Sequence, residues 1–130
     1  MTELPQENTE IKAELADICA KMREYLKMSG LLPFSEFEGY FKRVMAFLQE
    51  QYQDLGREQL LLCKRVCKIV RQNAQNRAPA DSLNRKKFRK MEEKCEFWAG
   101  AIELRLFKEG MSVVEIDDAE RAVWDSPEPL

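Results

Sequence analysis

Apolar residues recur along this chain at helical spacing and nowhere with the alternation of a strand. Between Thr9 and Met28, the residues Ile11, Leu15, Ile18, Met22 and Tyr25 return at steps of four and three. Cys19 and Leu26 widen the stripe. This predicts a first helix, stopped by Gly30 in a left-handed conformation and kept from continuing by Pro33.

The second helix has a start signal of its own. Ser35 followed by Glu38 matches a capping box, in which each side chain satisfies the other residue's backbone N–H. Its stripe is Phe37, Phe41, Val44, Leu48 and Leu55, with Tyr40, Met45 and Tyr52 alongside. Four aromatics there make it the expected centre of the core. An unbroken helix over 36–77 would be about 63 Å long, against about 30 Å for the first. A compact chain therefore predicts a break near Gly56.

A third helix is expected from Arg57 to Asn76, burying Leu60, Cys63, Val66, Cys67, Val70 and Ala74. It should fray before Pro79, which disfavours helix at Ala78. The fourth helix should be capped by Asp81 or Ser82, run to Glu109 and stop at Gly110. Its stripe of Phe88, Met91, Cys95, Trp98, Ile102 and Leu106 has the near-heptad spacing of a coiled coil. Ser112 and Glu115 form a second capping box, with Met111 and Ile116 at staple positions, for a last helix fading by Trp124.

The fold predicted is all-α: an antiparallel bundle of four main helices plus a short C-terminal helix. The expected division is one domain over 1–125 and a mobile tail over 126–130, rich in proline. Long amphipathic helices in a chain of 130 residues often leave an apolar strip uncovered, so a homodimer is expected as well.

Charge changes this picture. The net charge is only −2, but it is sorted along the chain. Residues 1–63 hold 7 basic and 11 acidic side chains, 64–94 hold 11 and 3, and 95–130 hold 3 and 9. Folding the third helix back on the fourth gathers the cations at one end of a hairpin. Lys64, Lys68 and Arg71 come from the third helix, and Arg85, Lys86, Arg89 and Lys90 from the fourth. These seven are the candidate partner-binding residues. An acidic protein surface is the expected partner, the chain's own acidic C-terminal segment a second occupant, and nucleic acid a third. A sequence pI near 5.4 and the lack of stacking aromatics in the run weigh against nucleic acid.

The candidate chemistry is sparse. There is no histidine, which removes imidazole-based triads and pH switches. The four cysteines, Cys19, Cys63, Cys67 and Cys95, contain no CxxC pair and read as reduced core residues; a thiolate metal cage is the alternative. No glycine-rich phosphate loop or nucleotide fingerprint is present, and no cofactor is expected. The opening Met1-Thr2-Glu3-Leu4-Pro5-Gln6-Glu7 is too polar for a leader, and no apolar run reaches the ~20 residues of a bilayer span. A cytoplasmic location is expected on those grounds.

One carboxylate pattern has a counterpart elsewhere. Glu92-Glu93-Lys94-Cys95-Glu96 reads EExxE, and Glu115 with Asp118 reads ExxD. The pairing resembles the metal motif of the all-α MazG-like nucleoside triphosphate pyrophosphohydrolases. The resemblance spans residues 92–118 only. It implies that Glu92 or Glu93, Glu96, Glu115 and Asp118 would hold Mg²⁺, which grips substrate phosphates and activates water. The chain departs from that family after Asp118, where Ala119-Glu120-Arg121-Ala122 replaces the usual apolar continuation. The sequence therefore points to a small helical protein that binds rather than catalyses, with the pyrophosphohydrolase as the enzymatic alternative.

Overall fold

A computed structural model describes the backbone of residues 3–126 and the side chains of residues 9–126. The chain is all-α. Among the described residues there are five helices: α1 (Glu3–Lys27), α2 (Phe34–Gln51), α3 (Arg57–Arg77), α4 (Arg85–Lys108) and α5 (Val113–Asp125). Two 3-10 turns, Tyr52–Asp54 and Ala78–Ala80, join α2 to α3 and α3 to α4. No strand occurs among these residues, and none of the helices is long and apolar enough to cross a membrane. The chain does break before Gly56. α2 ends at Gln51, and the N–H of Gly56 donates to Gln59 Oε1 (2.9 Å) to open α3. Residues 127–130 of the expected tail lie outside the described residues.

The described helices divide into two compact units, α1 with α2, and Gly56–Asp125. In the first, α1 and α2 pair antiparallel. Tyr40 Oη donates to the Ile18 carbonyl (2.7 Å), and Tyr25 meets Tyr40 edge to face at 5.3 Å. Arg43 bridges Glu14 (3.1 Å) and Asp17 (2.8 Å). The expected stripes of Ile11 to Met22 and Phe37 to Leu48 are buried, and Phe47 joins them. Leu26 is exposed instead.

Two local expectations fail here. Gly30 is not left-handed, because α1 closes with a tight Met28 N–H to Tyr25 carbonyl bond (3.2 Å) that needs no such residue. Nor does Ser35 cap α2. The helix starts two residues earlier, at Phe34, and the Pro33 carbonyl accepts from the N–H groups of Glu36 and Phe37, which places Ser35 inside the first turn.

The second unit is built around α3, with α4 antiparallel to it and α5 returning along it. Leu60, Leu61, Leu62, Cys63 and Lys64 are all buried, so α3 is enclosed on nearly every side at its start. Against it α4 packs Phe88, Met91, Cys95, Ile102 and Leu106, the heptad-like stripe read from the sequence except for Trp98, which is only half-buried. Asp81 does not cap α4. Its carboxylate accepts from the backbone N–H of Asn84 (3.1 Å) and from Asn84 Nδ2 (3.0 Å), which turns the chain and delays the helix to Arg85. Those two bonds hold the Asp81 carboxyl below its usual range.

The α4–α5 junction follows its sequence signals. Gly110 adopts φ +96°. Gly110 N–H donates to the Phe107 carbonyl (2.9 Å) and Met111 N–H to the Leu106 carbonyl (3.1 Å), a complete Schellman stop. Ser112 and Glu115 then make both bonds of the capping box (2.8 and 3.2 Å), and Ile116 is buried.

Candidate functional site

The seven candidate cations occupy three different environments. Lys64 is not on the surface. Its side chain is 7% exposed, and its Nζ lies 3.2 Å from Glu120 Oε1 and 3.9 Å from Glu103 Oε2. It sits in phase with buried Leu60 and Cys67, so burial is what its helical position dictates. As a docking residue Lys64 is therefore a misreading. Lys68 lies 3.2 Å from Glu120 Oε2, and Arg71 lies 2.9 Å from Glu96 Oε2.

Arg85 is used by the turn that precedes it. Its Nε donates to the Ala78 carbonyl and its Nη2 to the Pro79 carbonyl, both at 3.0 Å. Only Lys86, Arg89 and Lys90 of the seven stand exposed with no carboxylate of the described residues paired to them. They project from the first turns of α4, which has no acidic residue in its first turn. A helix N-terminus carries roughly half a positive charge, so cations there oppose its dipole. Leu83, 90% exposed, stands beside them on the connecting turn.

The counter-charge absent from the basic tip is spent lower down, on Glu120. This residue of α5 is 1% exposed, and its two oxygens take Lys64, Arg65 (3.1 Å) and Lys68. Burial pushes its carboxyl up, but Lys64 and Lys68 outweigh burial and hold it below the ordinary 4.5. Glu120 and Arg65 were not among the candidates. The signal for Glu120 was available: it lies four residues after Ile116, on the one buried face of α5.

The carboxylates of the pyrophosphohydrolase pattern do not converge. Glu96 is held by Arg71, and Glu115 serves its own helix cap. Glu92 is half-buried, and Glu93 and Asp118 are exposed. Among the described residues no three acidic, cysteine or histidine side chains come close enough to hold a metal ion. The resemblance thus lacks the ligand geometry it would need.

The same finding applies to the thiolate cage. All four cysteines are free and buried. Cys67 and Cys95 meet across α3 and α4 beside a cavity of about 320 Å³ that Lys64, Lys68 and Arg71 also line. The hydrogen bond with Cys95 and full burial both push the Cys67 thiol up, and burial pushes Cys19 up to about 11. Thiols of that kind stay protonated and unreactive near neutrality.

No protein family, curated protein or solved structure matches the chain.

Proposed function

We propose that this protein is a non-enzymatic adaptor or regulator of the cytoplasm that captures an acidic segment of a partner protein. The capturing surface is the tip of the α3–α4 hairpin. One observation carries the reading: Lys86, Arg89 and Lys90 crowd the exposed first turns of α4 with no carboxylate of the described residues paired to them, while the other candidate cations are engaged within the chain. Mutual repulsion and the helix dipole both disfavour that arrangement in the free protein. An anionic partner relieves both. Leu83 beside the cations supplies an apolar contact, which favours a peptide with acidic and apolar residues over bare phosphate.

The test uses a fluorescein-labelled peptide of alternating Glu, Asp and Leu residues, followed by anisotropy at low and physiological salt. The chain is expected to bind it, with affinity falling as salt rises. The triple change Lys86→Glu, Arg89→Glu, Lys90→Glu should abolish binding without loss of helicity, and Leu83→Ser should weaken it several-fold. Retained binding in the triple variant overturns the proposal. So does tighter binding of a single-stranded RNA or DNA oligomer, which would mark a phosphate reader.

A further inference from the structure

The outward face of α4 carries large apolar residues that stand exposed among the described residues. Phe97 is 66% exposed, Leu104 62% and Phe107 37%. With Gly100 they lie at steps of three, four and three, on the side of α4 opposite Met91, Cys95 and Ile102. This is a second seam, and the reading of the sequence missed it because the buried stripe alone accounts for a core helix.

Gly100 adds an independent observation. A glycine inside a helix is unfavourable by about 1 kcal/mol relative to alanine. No atom of the described residues lies within 4 Å of where its Cβ would be, so no described neighbour requires the missing side chain. The gap is flanked by bulky Phe97 and Leu104, borders the α3–α4 cavity beside Cys67 and Glu96, and is open to solvent.

We infer that this seam is the interface of a homodimer, in which α4 packs antiparallel on α4 of a second copy. A second copy is the occupant because the seam is self-complementary. In an antiparallel register about a two-fold axis near residue 102, Leu104 of each protomer enters the space beside the other's Gly100. Phe97 then stacks on the opposing Phe107. Every apolar position meets an apolar or empty one, as an isologous contact demands. At both ends exposed Glu93 comes into range of exposed Lys108 of the other copy, two equivalent pairs of opposite charge. The three apolar side chains leave on the order of 300 Å² per protomer to be covered, and the charged flanks extend this. Doubled, that is about 600 Å², below the ~1,000 Å² of a stable interface, so the charged flanks must add to it and the association is weak and reversible.

The arrangement has a consequence for the basic tips. Lys86 lies 16 residues from the axis, so the two tips stand roughly 50 Å apart and face opposite ways. The dimer would be bivalent.

Sedimentation equilibrium of the full chain under reducing conditions tests the inference. The mass should rise from 15.3 kDa toward twice that value as concentration goes from micromolar to several hundred micromolar. Leu104→Lys and, separately, Phe97→Glu should keep the chain monomeric with unchanged helicity. Glu93→Lys should weaken association about tenfold, and adding Lys108→Glu should restore it. A monomer at every concentration overturns the inference. So does association that survives both seam variants, which would place the contact elsewhere. Failure of the charge swap to restore association overturns the antiparallel register.

Discussion

Replacing Glu120 by glutamine tests the electrostatic account of the second unit most directly. The carboxylate is 1% exposed and serves Lys64, Arg65 and Lys68 from α5. Removing its charge leaves Lys64, itself 7% exposed, with the Glu103 carboxylate at 3.9 Å as its remaining counter-charge. Breaking a buried pair from one side costs about 3–5 kcal/mol, because the remaining charge stays desolvated. The Lys68 arm is 46% exposed and adds at most ~1 kcal/mol. Glutamine keeps the volume and one acceptor, so the lower end is expected, about 3 kcal/mol. α5 has 13 residues and buries only Ile116 and Glu120, too little to hold a helix of that length by itself.

The assay is unusually clean, since both tryptophans, Trp98 and Trp124, belong to the second unit. Tryptophan emission during urea unfolding therefore follows that unit alone. With a slope of ~1 kcal/mol/M, the midpoint should fall by roughly 3 M. Joint replacement Lys64→Met and Glu120→Leu should recover the Lys64 share of it, because an apolar pair removes that stranded charge while Arg65 and Lys68 stay without Glu120. The pH dependence has a definite sign. Glu120 titrates below 4.5 in the folded chain, so its contribution is complete above that value and is lost as the pH falls through the lowered one. The glutamine variant should lack that acid-side component. A midpoint shift under ~0.5 M, or an unchanged acid profile, refutes the account.

Two further perturbations address local structure and the thiols. Gly110→Ala forces an L side chain to φ +96° and should destabilise the second unit by about 1–2 kcal/mol, read as a lower melting temperature in tryptophan emission; an unchanged melt would contradict the Schellman stop. The cysteines should react with a thiol reagent slowly in the native chain at pH 7.5 and with all four equivalents at once in denaturant. Cys19 in particular should gain reactivity only as the pH nears 11, and fast native labelling at neutrality would show that burial does not protect it.

Sequence determined what depends on neighbours along the chain. The 3.6-residue period of apolar positions gave five helices and most of their buried faces, because periodicity and burial are the same fact seen twice. The Gly110 stop and the Ser112–Glu115 cap were legible because each closes within six residues. The same local chemistry misled at Ser35, Gly30 and Asp81. Each has a competing local solution: the Pro33 carbonyl, the tight bond to Tyr25, and the turn held by Asn84. Such alternatives differ by little more than one hydrogen bond.

What only the tertiary structure decided is which charges are still available. Lys64 and Lys86 look alike in a basic run, yet one is sealed against Glu120, 56 positions away, and the other stands in water. Charge acts through space and burial, and neither is written in the spacing of cations along a chain. The exposed seam on α4 belongs to the same class. Phe97, Leu104 and Phe107 read as ordinary apolar content until the fold shows that the core lies on the other side of their helix.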